Sequence, residues 1–584
     1  MKLLEKLGRL SVGLTLPAFA ILLIVMGIPM VRLFLASVNA PDFSFANYQA
    51  FFSQPANVRV LFQTVEVSAV ATALCLIIGY PTAYLISTAP KRLQIMLLVL
   101  VIIPYLTSFL ARTYAWVVIL GDRGLINNML IGFGLIHSPL PLIYNRMAVY
   151  ISMVHIMLPM MILPLVSVMM GIDKSLMAAA RSMGARPFAA FRRVFFPLSM
   201  PGVRSGSMLV FVICLGFYIT PAALGGLGDA MLSTFIASQV RTSFNIARMA
   251  ASAFILLAVA GVVLSIFGLD LSQTQGRTAQ RDRGARQSRL PSFSPLRRYF
   301  DERIAKRWTT KLYQPGAQSR WSILETLYIV LVMTYLLFPG VVVIIMSFSA
   351  GTYLEMPPSA PSLRWYRAFF QDPSWTGAAW TSVQIGAIVT ILATIVGTLA
   401  AYGLSRTSSK LRSSTTMILL APITLPSIVV AIAAYLGLLK LGLIGTKTGI
   451  VLAHSIGAIC YVVVIVSATL ATFDKRLEQA AMSMRAGPLQ TFKRVTLPLI
   501  RPGIIGGALF AFISSFDEVV ISLLVSGFSI RTLPLKMWEN MRNEIDPTIA
   551  AVSSLLILLP VLWLGALYVF WWRSRPKAQS PATV

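Results

Sequence analysis

Cysteine, histidine and charged residues are all scarce in this sequence. Its 584 residues include three cysteines and three histidines, and only 12% are Asp, Glu, Lys or Arg. The cysteines lie far apart in apolar runs and the histidines lack i, i+4 pairing, so we expect neither disulfides nor a metal site. The sequence also has no phosphate-binding Gly-x4-Gly-Lys-Ser/Thr loop and no Gly-x-Ser-x-Gly elbow. We therefore expect no cofactor in this chain and no enzyme activity of its own.

The shortage of charge also argues against a soluble protein, in which about 25% of residues are charged. Hydrophobic residues make up 57% of the chain, and the mean hydropathy is +0.77. Apolar runs long enough to cross a bilayer as helices occur twelve times, in two groups of six. They lie near 12–38, 61–87, 93–120, 147–171, 203–225 and 246–270, and near 322–348, 377–404, 414–439, 449–472, 503–526 and 549–572. We predict an all-α polytopic membrane protein of two six-helix halves, whose first run is an uncleaved span.

Acidic residues are fewer than basic ones, 20 against 49, which leaves a net charge of +29. In a soluble protein this excess would indicate nucleic-acid binding. With the N-terminus placed inside, however, almost all of it falls on cytoplasmic loops, as the positive-inside rule requires. We therefore predict both termini in the cytoplasm and no nucleic-acid partner. The Arg-rich stretch 271–321 is predicted to be a cytoplasmic linker between the halves 1–270 and 322–584, either a disordered tether or, around Arg297–Trp308, an amphipathic helix on the inner leaflet.

The sequence repeats itself at an offset of 301 residues between segments 173–203 and 474–504. Identical residues recur without a gap at Asp173/Asp474, Ser182/Ser483, Met183/Met484, Pro187/Pro488, Phe191/Phe492, Val194/Val495, Pro197/Pro498, Pro201/Pro502 and Gly202/Gly503. An offset of 318 residues relates earlier positions such as Tyr84 and Tyr402. An even number of predicted spans separates equivalent positions, so the two halves are expected to run parallel.

Each repeated loop is predicted to form two short helices joined at a turn. Ala-rich segments favour a helix, Gly184 permits the turn, and Pro197 and Pro201 are expected to end the second helix before the next span. Apolar residues at helical spacing on a basic cytoplasmic loop indicate a docking surface for a soluble partner. The alternative is an interfacial helix that lies on lipid headgroups.

These two loops resemble the EAA loop of bacterial ABC-importer permeases, which forms coupling helices in a groove of a cytoplasmic ATPase. The chain as a whole resembles a fusion of the two permeases of spermidine/putrescine-type importers, on segments Leu215–Gly226, Gly121–Leu130, Ala421–Ala433, Ser515–Gly527 and Arg531–Trp538. The resemblance implies a type I permease fold in the bacterial inner membrane. It also implies two copies of a cytoplasmic ATPase and an external or periplasmic binding protein as partners.

The same resemblance implies which residues couple the chain to the ATPase. They are Met177, Ala178, Ala179, Gly184, Phe191 and Pro197 in the first loop, and Glu478, Gln479, Ala480, Arg485, Gly487, Phe492 and Pro498 in the second. Two positions depart from the motif. Met177 replaces the motif's glutamate, and Arg485 replaces its glycine, with Gly487 displaced by two residues. The two loops therefore need not make equivalent contacts with the ATPase.

A substrate pathway is suggested by two carboxylates, Asp517 and Glu518, predicted midway through the eleventh span. Charged groups are costly inside a membrane and indicate function by default, and carboxylates would offset the lost hydration of a polyamine. The aromatic residues Phe217, Tyr218, Phe516 and Trp538 are candidates for cation–π contacts with an amine. The alternative for the two carboxylates is a structural pair, bonded to neighbouring helix backbones or to Arg112. Glu66, about one turn inside the outer face, is a further pathway candidate, and the alternative is a side chain that snorkels to that face.

Two other functions stay open at this point. Within the same class, the substrate could be an opine, a phosphonate or ferric iron. From another class, an ion-coupled secondary transporter also has two parallel six-span halves, but it would not need two matching docking loops. Dependence on a separable ATPase distinguishes the importer from the secondary transporter.

Overall fold

The computed structural model describes residues 13–266 apart from 243–244, and residues 322–573 apart from 352–357, 359, 408, 528 and 544–545. Among these residues the regular elements are helices, with a single isolated β-bridge between Ser349 and Pro361. Nine of the described helices are long and apolar enough to cross a membrane, and there are up to eleven such spans if each of two bent pairs counts as one. The predicted linker 271–321 lies outside the described residues.

The helices of the first half follow the predicted spans, with short helices between them. They are α1 (Leu16–Ser37), α2 (Ala46–Phe52), α3 (Pro55–Thr88), α4 (Lys91–Leu106), α5 (Phe109–Leu120), α6 (Leu125–Gly132), α7 (Arg146–Met170), α8 (Lys174–Ser182), α9 (Pro187–Leu215), α10 (Ile219–Leu224), α11 (Leu232–Thr242) and α12 (Ile246–Ile266).

The second half repeats this order without a counterpart of α6. Its helices are α13 (Ile323–Ser347), α14 (Arg364–Gln371), α15 (Pro373–Arg406), α16 (Ser409–Thr424), α17 (Ser427–Lys440), α18 (Lys447–Ala471), α19 (Arg476–Ser483), α20 (Pro488–Phe516), α21 (Val520–Val525), α22 (Leu533–Asn543) and α23 (Thr548–Arg573). The last predicted span, 549–572, falls on α23.

Each half is built on a core of three helices that contact one another. These helices are α3, α7 and α9 in the first half and α15, α18 and α20 in the second. Equivalent glycines allow the close approach, because a Cβ on Gly79 would lie 2.9 Å from Met161 and one on Gly397 would lie 2.8 Å from Val462. The sequence repeat therefore corresponds to a repeat of helix packing, and the same close glycine contact occurs in each core.

The first helix of each half packs against the other half. Helix α1 contacts α15 and α17, while α13 contacts α3, α4 and α5. The hydroxyl of Tyr328 in α13 donates to the carbonyl of Ile78 (2.6 Å), and that of Tyr335 donates to the carbonyl of Ile151 (2.6 Å). Neither three-helix core is therefore covered by its own half alone.

Two predicted spans are sharply bent at a break, and two others, 203–225 and 503–526, are interrupted after Leu215 and after Phe516. The run 93–120 bends by 91° between α4 and α5, and the run 414–439 bends by 101° between α16 and α17. The residues at the two breaks, Ser108 and Pro426, have nearly identical backbone angles (φ −51°, ψ 133° and φ −55°, ψ 130°). Pro104 and Pro422 lie just before the breaks and cannot donate a helical hydrogen bond, which weakens the last turn at both places.

A second correction concerns the predicted helix stops at Pro197 and Pro201. Helix α9 runs through both prolines instead of ending there. A π-helical turn, Phe191–Phe195, ends two residues before Pro197, and the equivalent turn Phe492–Thr496 ends two residues before Pro498. The wider π turn accommodates a residue that cannot donate to the preceding turn, so the chain stays helical from the loop into the membrane.

Candidate functional site

A cavity of about 450 Å³ lies between the two halves, at the level of the two helix breaks. Four of the predicted pathway residues line it, namely Asp517, Glu518, Phe217 and Tyr218. Phe516 is instead stacked on Phe512 with ring centroids 5.6 Å apart. The structure thus brings both carboxylates and two of the four candidate aromatic rings to one cavity.

Asp517 does not lie midway through a continuous span, because helix α20 ends at Phe516. Its carboxylate reaches across to the first half, where it accepts hydrogen bonds from the Ser108 hydroxyl (2.5 Å) and the Phe109 N–H (2.8 Å). A carboxylate at this place satisfies the free N–H groups of a helix N-terminus and is favoured by the helix dipole. Asp517 therefore caps helix α5, and so joins the two halves at the first break.

Glu518 makes a different contact although it is the next residue. Its Oε1 accepts a hydrogen bond from the N–H of Ile521 (3.0 Å), at the start of the short helix α21. The bond stays within the second half. Asp517 and Glu518 are both half-buried on the cavity wall, and they differ in that both oxygens of Asp517 are bonded across the interface between the halves, whereas the bond of Glu518 does not cross it.

Arg112, the other predicted partner of the carboxylates, also lines the cavity. It is buried, and its Nη1 donates to the carbonyl of Ile156 (3.2 Å) rather than to a carboxylate. Its guanidinium lies 5.2 Å from the centroid of the Phe109 ring. The structural alternative required a bonding partner for the carboxylates. For Asp517 that partner is a helix N-terminus and not Arg112.

The equivalent contact at the second break carries no charge. Gly216 occupies the position that corresponds to Asp517, and its carbonyl accepts a hydrogen bond from the Ser427 hydroxyl (3.2 Å). A Cβ on Gly216 would lie 2.9 Å from Pro426 Cα and 2.9 Å from Ser427 N, so glycine is needed for this approach. Both breaks are therefore held by the opposite half, one through a carboxylate and one through a glycine.

A buried histidine that sequence analysis set aside holds the break after α20. The two ring nitrogens of His454 each lie 3.0 Å from a serine hydroxyl, Nδ1 from Ser515 and Nε2 from Ser522. These serines flank the two carboxylates on either side. A histidine inside an apolar span was itself a signal of function, since such a group is costly in a membrane unless it is bonded.

The remaining candidates lie outside the cavity lining. Trp538 is buried and packs its ring against that of Tyr218, with centroids 5.5 Å apart. Glu66 is exposed and pairs with Arg146 (3.2 Å), which also pairs with Asp229 (3.1 Å). Neither residue is therefore placed to meet a substrate inside the cavity.

Each repeated loop forms the predicted first short helix and turn, but the second predicted short helix is the start of a long membrane helix, α9 or α20. Asp173 caps α8 by accepting the N–H of Ser175 (2.8 Å), and this bond holds the pKa of the Asp173 carboxyl below its usual value. The turn residues are Gly184, with φ +84°, and Arg485, with φ +63°. Gly487 has an ordinary φ of −67°. Arg485 therefore adopts the left-handed conformation of the missing glycine, and Gly487 does not replace it.

The tips of both loops expose a methionine that the list of coupling residues did not include. Met183 is 82% exposed and Met484 is 83% exposed. Among the predicted coupling residues, Ala179, Gly184, Pro197, Gln479, Ala480, Arg485, Gly487 and Pro498 are exposed, whereas Met177, Ala178, Phe191 and Phe492 are partly buried. Glu478 is 2% exposed and is paired with Arg406. The pairing of Met183 with Met484 in the repeat was the signal for a shared exposed tip.

Two parallel helical halves around a central cavity, with no strand among the described elements, define a polytopic permease. The model of the family described as "binding-protein-dependent transport system inner membrane component" matches the chain twice, over residues 75–274 and 393–573. The chain therefore belongs to this family and carries two copies of its domain.

Three similar permease proteins each match less than half of this chain. The spermidine/putrescine transport system permease protein PotB of Haemophilus influenzae is 37% identical over 199 residues, which are 34% of this chain and 69% of that protein. PotB of Escherichia coli is 32% identical over 225 residues, 38% of this chain and 82% of its own length. The putrescine transport system permease protein PotI of Escherichia coli is 33% identical over 251 residues, 42% of this chain and 88% of its own length.

Proposed function

We propose that this chain is the membrane unit of an ATP-driven importer that translocates polyamines or related small amines. One observation carries the substrate class: Glu518 lies on the wall of a cavity rich in aromatic rings. The rings belong to Tyr105, Phe109, Phe217, Tyr218, Tyr461 and Phe510. A carboxylate and aromatic faces together suit an ammonium group that has lost its water. The similarity to PotB, a spermidine/putrescine permease protein, and to PotI, a putrescine permease protein, supports the same class.

The two adjacent carboxylates have different tasks in this proposal. Glu518 attracts the amine, while Asp517 holds the cavity closed by capping helix α5 of the opposite half. The hydrogen bond from Ser427 to Gly216 closes the second break in the same way. Both contacts cross between the halves, so both must break when the halves move apart at this level.

Energy and substrate come from other proteins in this proposal. Two copies of a cytoplasmic ATPase dock on loops 173–203 and 474–504, and closure of the ATPase dimer rocks the halves between inward-facing and outward-facing states. A binding protein delivers the amine on the opposite side. The chain itself hydrolyses nothing and needs no cofactor. It lies in the bacterial inner membrane with both termini in the cytoplasm, and the linker 271–321 joins the halves 1–270 and 322–584.

The test is reconstitution of the full chain in liposomes with its ATPase and binding protein. We expect putrescine or spermidine to stimulate ATP hydrolysis and to enter the vesicles only when ATP is present. Opines, aminoethylphosphonate and ferric iron serve as competing substrates. Stimulation by one of these alone would contradict the amine assignment, and uptake driven by an ion gradient without the ATPase would contradict the importer.

A further inference from the structure

Glu478 is the one carboxylate of the second loop's short helix, and it points away from the loop surface. It is 2% exposed, whereas its neighbours Leu477 and Gln479 are exposed. Its Oε2 forms an ion pair with Nη2 of Arg406, and its Oε1 accepts a hydrogen bond from the Thr496 hydroxyl. The three residues come from the end of α15, from α19 and from the start of α20. They therefore tie the loop to a membrane helix.

Other contacts reinforce this joint between the loop and the end of α15. Lys475 Nζ donates to the carbonyl of Ser405 (3.3 Å). The rings of Tyr402 and Phe492 lie with centroids 4.7 Å apart, and the Arg406 guanidinium lies 5.0 Å from the Tyr402 ring. Helix α15 in turn packs against α18 and α20, both of which line the cavity.

The first half makes the same joint with different chemistry. The aromatic pair recurs, since Tyr84 and Phe191 lie with centroids 5.5 Å apart. The repeat offsets place Thr88, Met177 and Phe195 at the positions of Arg406, Glu478 and Thr496. Phe195 packs edge-on against Tyr84 (5.2 Å) and stacks on Phe191 (5.7 Å). The first half thus has a different residue at each of the three positions, and aromatic packing takes the place of the ion pair and its hydrogen bond.

We propose that Arg406, Glu478 and Thr496 form a positioning device that fixes the second coupling loop to helix α15. The ion pair fixes the loop to the membrane helix in the second half, as the packing of Phe195 does in the first half. In this proposal Glu478 is not a contact for the ATPase. Removing one member of a buried ion pair leaves a charge without compensation, whereas well-packed apolar residues can replace the whole pair. This inference rests on the proposed function, because the loop is fixed in order to transmit movement of the ATPase to the cavity.

The experiment compares Glu478→Gln with the wild type, using the full chain reconstituted with the ATPase and binding protein. Hydrogen exchange of the backbone amides is measured in 474–496, with 173–195 as an internal reference. We expect exchange in the second loop to rise by about tenfold and the first loop to stay unchanged. We also expect the amount of amine transported per ATP hydrolysed to fall several-fold while the ATPase still copurifies. Glu539→Gln, which removes an exposed pair with Arg531, is the matched control and should change neither readout.

A rescue variant separates positioning from a general loss of stability. The triple substitution R406T/E478M/T496F copies the first half and should restore both the protection of the loop and the coupling ratio. Three results would overturn the inference: unchanged exchange in Glu478→Gln, a triple variant as defective as Glu478→Gln, or loss of ATPase binding without any change in exchange. If the wild type shows no ATP-dependent uptake, the proposed function fails, but the exchange data still test the joint.

Discussion

At the scale of single residues, Asp517 and Glu518 show how neighbours in sequence take different roles. The backbone turns after Phe516, so one carboxylate crosses to the other half and the next stays with its own helix. A helix N-terminus and a cation compete for the same kind of group, because both favour negative charge. In the proposed function Glu518 meets the substrate because its bond stays within the second half, whereas the bonds of Asp517 hold the two halves together.

We expect Glu518→Gln to change the KM for the amine and Asp517→Asn to change ATP hydrolysis in the absence of substrate. Glu518→Gln should raise the KM for amine-stimulated ATP hydrolysis about tenfold or more, because a hydrogen bond to a charged group contributes about 1.5–3 kcal/mol. Asp517→Asn should leave KM nearly unchanged and raise ATP hydrolysis in the absence of substrate, because it weakens a contact that keeps the halves together. KM and basal hydrolysis measured in proteoliposomes check both. Equal effects of the two variants on KM would contradict this division.

Gly216 offers a test of the uncharged contact on the opposite side. In Gly216→Ala the new Cβ would meet backbone atoms of Pro426 and Ser427 at 2.9 Å, and such overpacking typically costs about 1–3 kcal/mol. We expect a Tm lower by several degrees and increased basal ATP hydrolysis. Gly261→Ala is the control, because a Cβ there has nothing within 4 Å. A similar loss in both variants would show that the contact between the halves is not the cause.

At the scale of elements, the turn of the second loop is held in a conformation that suits glycine. A left-handed φ costs a residue with a Cβ about 1–2 kcal/mol, and Arg485 adopts this conformation at +63°. Arg485→Gly should therefore slow proteolysis or amide exchange of the turn by several-fold, while Arg485→Lys, which keeps the Cβ, should not. Faster exchange in Arg485→Gly would mean that contacts of the arginine side chain outweigh the backbone strain.

The elements also show which parts of this fold are readable from a sequence. Apolar runs locate the spans, and the 301-residue offset locates the two loops, because both depend on local composition. The break at Ser108 depends instead on Asp517, which lies 409 positions away, and the burial of Glu478 depends on Arg406. Such long-range bonds leave no periodic mark, so the site residues could be named but their partners could not.

At the scale of the whole molecule, the first helix of each half packs against the other half, and this makes the two halves mutually dependent. Helix α1 covers the second half, and α13 is bonded to the first half through Tyr328 and Tyr335. In a membrane interior such hydrogen bonds have no water to replace them, so separation of the halves would leave polar groups unpaired. The contacts between the halves hold the molecule together independently of the peptide chain that joins them.

We therefore expect the chain to tolerate division at the linker. Residues 1–270 and 322–584 expressed together as two polypeptides should copurify in equal amounts and retain ATP-dependent amine uptake close to that of the fused chain. Each half expressed alone should aggregate or be degraded, because its core lacks the helix that the other half supplies. Size-exclusion chromatography in detergent and uptake in liposomes provide the measurements. A half that purifies alone as a monodisperse monomer would contradict the mutual dependence, and a complex that assembles but does not transport would give the linker a role in coupling beyond joining the halves.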